Sequence, residues 1–314
     1  MGKVCVGIDV GGTTVKLGLF ETTGRLMDKW EIPTRTEDGA KNILPDIAAS
    51  VRKKLEDLEI DLEDVTGAGM GIPGPVLPDG SVTLCVNLGW RDMNPQRELS
   101  ALLDGLPVKS GNDANVAALG EMWQGGGKGF SDIVMVTLGT GVGGGVIIDE
   151  KIVAGRHGLG GEIGHIHARD EETESCNCGG VGCLEQIASA TGIAREARRK
   201  MAAETTPSVL REKGDGVTAT DVLDAAKAGD AFADEVVETA SRYLGLVLSH
   251  VALTVDPEAF VIGGGVSRAG QFLIDKIDKY YRKYTVISKD AGIITLAKLG
   301  NDAGIYGAAR MVLD

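Results

Sequence analysis

One strand-and-turn pattern, present twice, constrains this chain more than any other feature. Residues 4–8, 15–20 and 26–32 are short apolar runs rich in β-branched side chains. The turn-like Asp9-Val10-Gly11-Gly12-Thr13-Thr14 and Glu21-Thr22-Thr23-Gly24-Arg25 separate them. They read as three antiparallel strands with a Gly/Thr-rich first turn. The frame restarts with a strand at 133–138, the turn Gly139-Thr140-Gly141-Val142-Gly143-Gly144, and strands at 145–148 and 151–154. Each copy is followed by helices alternating with strands. After the first copy, Ile43, Ile47, Val51, Leu55 and Leu58 form one buried helical stripe, with Pro45 tolerable only in its first turn. Strands near 68–72 and 108 and a helix at 114–123 follow. After the second copy, helices are expected at 185–202, 219–228, 231–255 and 268–284, strands at 259–262 and 293–299, and a last helix at 303–313. The pattern predicts an α/β chain of two similar halves, whose separating cleft is the natural ligand site. We place the domains at 1–112 and 113–300, with the final helix, 301–314, folding back on the first.

Composition narrows the partners. The chain has 314 residues, ample for two domains, and a formal net charge of -13. Nucleic acid and acidic membranes are repelled on average, and no basic patch offsets this. The densest basic run, Arg195-Glu196-Ala197-Arg198-Arg199-Lys200, reads as the solvated face of one helix. A hydrophobic share of 43% fills real cores. The longest apolar stretch, 244–255, is broken by Ser249 and His250 and is too short for a bilayer. The first residues lack a secretory apolar core, so a cytoplasmic protein is expected. Cysteines number 5, an odd count, and three of them, Cys176, Cys178 and Cys183, lie close together. That argues for a metal site over a disulfide framework.

Four groups of residues carry chemistry. Glycines in Gly11-Gly12-Thr13-Thr14 and Gly139-Thr140-Gly141 let backbone amides approach an anion, and threonine hydroxyls add donors. Neither loop is Gly-x-x-x-x-Gly-Lys-Ser/Thr. The second precedes a strand and not a helix, which removes the dinucleotide reading. Gly263-Gly264-Gly265 is a third glycine turn after a strand. Asp113 sits where a strand gives way to a helix. It reads either as an N-cap or as a general base for a hydroxyl attacking a phosphate. The cysteine cluster supplies three thiolates, and zinc needs a fourth ligand, for which His165 and His167 are candidates. A closed site of this kind is structural. Glu162 and Glu185 flank it, and carboxylates accept hydrogen bonds from sugar hydroxyls.

The ordered set Asp9-Val10-Gly11-Gly12-Thr13-Thr14, Asn112-Asp113, Leu138-Gly139-Thr140-Gly141-Val142-Gly143-Gly144, Glu162-Ile163-Gly164-His165 and Cys176-x-Cys178-Gly179-x-x-Gly182-Cys183-x-Glu185 resembles the ROK family of sugar kinases and repressors, and its bacterial glucokinases most of all. The resemblance implies the two-domain actin/hexokinase-like (ribonuclease H-like) fold with ATP in the cleft. It implies Asp113 as catalytic base and Asn112, Glu162, His165 and Glu185 as sugar ligands, with Asn87 also approaching the sugar. His165 is preferred to His167 as the fourth ligand of a structural Zn²⁺. Asp9, the residues Gly11, Gly12, Thr13 and Thr14, and the residues Gly139, Thr140 and Gly141 would hold Mg–ATP phosphates. Gly263, Gly264 and Gly265 would lie near the adenosine. A homodimer is the assembly the family suggests. The first strand begins at Val4, which leaves no room for the helix-turn-helix domain of the family's repressors. The expected activity is ATP-dependent phosphorylation of the 6-hydroxyl of glucose. The alternatives are another hexose (fructose, mannose or an N-acetylated amino sugar), a polyphosphate donor, a sugar-binding regulator without turnover, or a zinc-stapled scaffold.

Overall fold

The computed structural model describes residues 2–287 and 292–313. The chain divides into two compact units, 1–131 with 145–161 and 299–314, and 132–144 with 162–298. The sequence reading set a cut at 112/113 and returned the last helix, 301–314, to the first domain. The chain instead changes unit four times, and the helix after Asn112 stays in the first unit. The reason is backbone packing, described below.

In the first unit, β1 (Val4–Val10), β2 (Thr14–Glu21) and β3 (Leu26–Pro33) form an antiparallel meander. α1 (Ile43–Asp57) leads to β4 (Val65–Ile72), which pairs parallel with β1. A hairpin, β5 (Val82–Cys85) and β6 (Trp90–Met93), and α2 (Pro95–Leu102) precede β7 (Val108–Asn112), parallel to β4. The hairpin and α2 carry no strong period and are absent from the sequence reading. The sheet order is β3-β2-β1-β4-β7. α3 (Asp113–Gln124) follows directly on β7.

Both faces of this sheet are covered, which is why β1 is a nearly continuous apolar run. Val4, Val6, Ile8 and Val10 face one core together with Ile43, Ile47 and Val51 of α1. Leu58, counted in the helical stripe, falls past the helix end and is exposed. Cys5 faces the other way, into a cluster with Phe20, Ile305 and Ala309. Period-2 alternation then puts Gly7 and Asp9 on that same face.

The second unit holds β8 (Ile133–Leu138) and the first residues of β9 (Val142–Ile148), whose remainder pairs with β10 (Lys151–Ile152) in the first unit. The helix expected over 185–202 is two helices, α4 (Glu185–Ala188) and α5 (Ala190–Ala203). Ser189 between them has extended backbone and caps α5 by accepting from the Gly192 amide at 2.9 Å. Next come α6 (Ala219–Lys227), α7 (Ala231–Val255), β11 (Ala259–Gly263), α8 (Gln271–Tyr284) and β12 (Ile293–Leu296). β11 pairs parallel with both β8 and β12. The last helix, α9 (Ala303–Met311), lies in the first unit. No helix among the described residues is long and apolar enough to cross a membrane.

Candidate functional site

The first Gly/Thr turn is closed by the Gly11 amide donating to the Thr14 carbonyl at 3.0 Å. Thr34 ties it from β3's end, its amide on the Thr13 carbonyl (2.9 Å) and its hydroxyl on the Gly11 carbonyl (2.7 Å). A Cβ on Gly11 would lie 2.8 Å from the Thr14 carbonyl oxygen, whereas one on Gly12 meets nothing. Gly11 thus shapes the turn, and Gly12 leaves it open to an approaching group. Asp9 is the direct cross-strand partner of Lys16. Burial pushes its carboxyl upward, and the Lys16 ammonium pulls it partly back. Lys16 in turn donates to the Asn301 carbonyl at 3.2 Å. A Cβ on Gly304, in the first turn of α9, would sit 2.7 Å from the Asp9 carboxyl carbon. That glycine was not singled out in the sequence, since nothing local says which helix covers this face.

At the start of α3 the capping residue is Asn112, not Asp113. Its Oδ1 accepts from the Ala114 amide at 3.0 Å and the Asn115 amide at 3.1 Å, and its Nδ2 donates to the Gly74 carbonyl at 3.1 Å. Asp113 is the first helical residue, half-buried. It accepts from the Ala114 amide at 2.8 Å and from Asn112 Nδ2 at 3.1 Å. The N-cap reading of Asp113 is thus corrected: the cap is Asn112, and Asp113 is a second acceptor for the Ala114 amide. The Cys85 thiol donates to the Pro73 carbonyl at 2.8 Å, so the 73–74 segment is held on both sides. Asn87 is exposed in the turn between β5 and β6.

In the second unit, Gly139-Thr140-Gly141 and Gly263-Gly264-Gly265 follow neighbouring parallel strands, β8 and β11, at their carboxyl ends. Ligands of open α/β sheets bind at such ends. Gly264, with φ of 83°, packs so closely that a Cβ would lie 2.5 Å from the Leu138 carbonyl oxygen. The first loop is pinned by the Ala190 amide on the Gly139 carbonyl (2.8 Å) and by Glu185, whose Oε2 accepts from the Val142 amide at 2.9 Å.

Glu185 also reaches the cysteines, with Oε1 3.7 Å from Cys176 Sγ. One ligand atom each from His165, Cys176, Cys178 and Cys183 lies within 4.8 Å of all the others. Cys178 and Cys183 Sγ are 3.6 Å apart, and Cys176 Sγ is 3.8 Å from His165 Nδ1. A tetrahedral zinc with bonds of about 2.3 Å to sulfur spaces its sulfurs by about 3.8 Å, so the donor set fits such an ion. His165 presents Nδ1 to the cysteines and Nε2 toward Glu162, 4.0 Å from its Oε2. His167 stands outside the group, its ring nitrogens bonded to the Val181 carbonyl and to Asp170, each at 2.8 Å. Burial pushes the Cys183 thiol up to about 12, so a cation is what would favour its thiolate.

The ROK family model matches residues 5–314. The chain belongs to the ROK family. A glucokinase of Halalkalibacterium halodurans is 44% identical to it, covering 98% of this chain and 94% of its relative. An N-acetyl-D-glucosamine kinase of Vibrio cholerae is 30% identical over 96% of this chain and 97% of its own length. Among solved structures, a ROK hexokinase from Thermus thermophilus superposes with a TM-score of 0.81 at 31% identity, covering 98% and 97% of the two chains. A ROK glucokinase from Streptomyces griseus, solved with glucose and AMPPNP, gives 0.73 at 34% identity and 98% of each. The architecture is thus the ROK version of the hexokinase-like α/β fold.

Proposed function

We propose that this chain transfers the γ-phosphoryl group of ATP to the 6-hydroxyl of glucose, with Asp113 as general base. Its character as an ATP-dependent sugar kinase rests on ROK membership along almost the whole chain. The observation that carries the assignment of Asp113 is that Asn112 takes over the capping of α3. Asp113 follows that cap as the first helical residue, half-buried, and in this proposal its carboxylate takes the proton of the attacking alcohol. Asn112, Asn87, Glu162, His165 and Glu185 are proposed to hold the other sugar hydroxyls. Asp9, the Gly11–Thr14 turn and the Gly139–Gly141 loop are proposed to hold the nucleotide phosphates with Mg²⁺, and Gly263, Gly264 and Gly265 to border the adenosine. Magnesium, when bound, spreads the charge that develops on the phosphoryl oxygens. Zn²⁺ held by His165, Cys176, Cys178 and Cys183 would be structural, because four protein ligands leave no open position. Its effect on substrate would pass through His165, whose Nε2 faces Glu162.

Glucose is favoured by the 44% identical glucokinase. The N-acetyl-D-glucosamine kinase, 30% identical, supports an amino-sugar kinase as the second reading. Coupled ADP release across a panel of hexoses decides between them, and absence of turnover with every sugar would leave a binding protein. Asp113→Asn is expected to lower kcat by roughly 10²–10⁴-fold while sugar affinity is largely kept. Turnover near wild type would remove the base assignment.

A further inference from the structure

We infer that helix α5 is a clamp on the metal-ligand loop: Arg195, Glu196 and Arg199 hold residues 169–174 so that the cysteines are gathered before an ion arrives. The inference rests on the zinc reading above. It begins where the sequence expectation fails, because the basic run at 195–200 is not a solvated face. Glu172 is enclosed, with its side chain 1% exposed. Its carboxylate accepts from Arg195 at 2.7 Å, from both Arg199 terminal nitrogens at 2.8 and 2.9 Å, and from the Thr173 and Glu174 amides at 3.0 and 3.1 Å. The same two arginines grip Glu174, Arg199 at 2.6 Å and Arg195 at 3.1 Å. On the preceding turn of the loop, Arg169 makes a two-pronged contact to Glu196, 2.9 Å on each nitrogen, and lies over the ring of Tyr243.

The clamp continues to a ligand. Gln186 is buried and donates to the Glu174 carbonyl at 2.9 Å, while its Oε1 accepts from the Cys183 amide at 3.1 Å. Arg195 fixes Gln186 in turn through its carbonyl, at 2.7 Å. The limb entering Cys176 is thus tied to α5 directly, and the one ending at Cys183 through Gln186 of α4, whose carbonyl Arg195 holds. Within the loop, the bridges His167–Cys183 and Ser175–Val181 and the Cys176 amide on the Gly180 carbonyl (2.7 Å) add local order. Residues 168–183 contain few apolar side chains and three glycines, of which Gly179 and Gly182 have positive φ. A free loop of this composition would lose much backbone entropy on closing round an ion. Anchored to α5, it undergoes that ordering when the chain folds. Buried ionic groups favour a structure when their lone pairs and protons are satisfied; the Glu172 carboxylate meets that condition, while Arg195 Nε is buried without a hydrogen-bond partner among the described residues.

The test measures zinc release from the loaded full-length protein to an excess of chromogenic chelator. Glu172→Gln and Glu174→Gln are each compared with wild type and with Asp234→Asn. The last breaks an unrelated ion pair in the same unit, Lys276–Asp234 at 2.9 Å. Glu174 is largely exposed, so its variant folds even should the Glu172 variant not. Both clamp variants are expected to release zinc about tenfold faster, the usual scale for groups that orient metal ligands, with Asp234→Asn unchanged at the same loss of thermal stability. Release at the wild-type rate in the clamp variants, or equal acceleration in Asp234→Asn, overturns the clamp. Wild-type protein that takes up no zinc overturns the metal reading instead, and shows this before any substitution is made.

Discussion

Asn112 and Asp113 are adjacent acceptors at one helix start, and both accept from the Ala114 amide. The Asn112 cap is worth about 1 kcal/mol to α3, and Asp113 begins its first turn on the backbone that this cap fixes. Asp9 is likewise placed by its neighbours. Its strand register makes it face α9, and the missing side chain of Gly304 is what leaves room for its carboxyl. Gly304→Ala is therefore expected to displace Asp9. The KM for Mg–ATP should rise roughly tenfold for a loss of about 1.4 kcal/mol of nucleotide binding, with the sugar Kd unchanged. Equilibrium titrations with sugar and nucleotide separately would check this, and a change confined to the sugar would contradict it.

At the scale of elements, the glycines do more structural work than the loops alone suggest. A Cβ on Gly7 of β1 would lie 1.9 Å from the Ile305 carbonyl oxygen, and one on Gly69 of β4 only 1.7 Å from that of Ala308. On the other side, a Cβ on Gly120 of α3 would come within 2.2 Å of the Ala303 carbonyl oxygen. α9 is seated backbone-to-backbone between the sheet and α3, which keeps α3 in the first unit. Gly69→Ala should force that helix away and cost about 1–3 kcal/mol, read as a fall in denaturation midpoint against Gly39→Ala, where a Cβ meets nothing but φ is 72°. The α5 clamp carries a pH signature of its own. Arg199 above all, with the Glu174 amide and Arg195, holds the Glu172 carboxyl at about 2, against 4.5 for an ordinary glutamate. The folded value is the depressed one, so its stabilisation is complete above the unfolded value. It is lost as pH falls from about 4.5 toward 2. The two values correspond to about 3 kcal/mol. Denaturation at a series of pH values should show wild type ahead of Glu172→Gln at neutrality and the gap closing only in that acid window.

At the scale of the whole molecule, a formal charge of -13 predicts that the protein does not retain duplex DNA at physiological salt, although the family includes repressors. A gel-shift with random-sequence duplex checks this, and saturable binding at micromolar protein would refute it. The primary sequence by itself determined the duplicated strand-turn-strand frame, the glycine loops, the run of β1 and the cysteine cluster that could hold a metal, because each is written in local period or close spacing. Hairpin β5–β6, α2 and the break at Ser189 escaped it, since each depends on caps and cross-strand partners without a strong period. Tertiary structure alone decided that Gly304 meets Asp9 and that Arg195 and Arg199 enclose Glu172. Those outcomes join residues as much as 295 positions apart. Contacts between segments so distant leave no local period in a single chain; they exist only once β1, α9 and the cysteine loop have been folded against their neighbours.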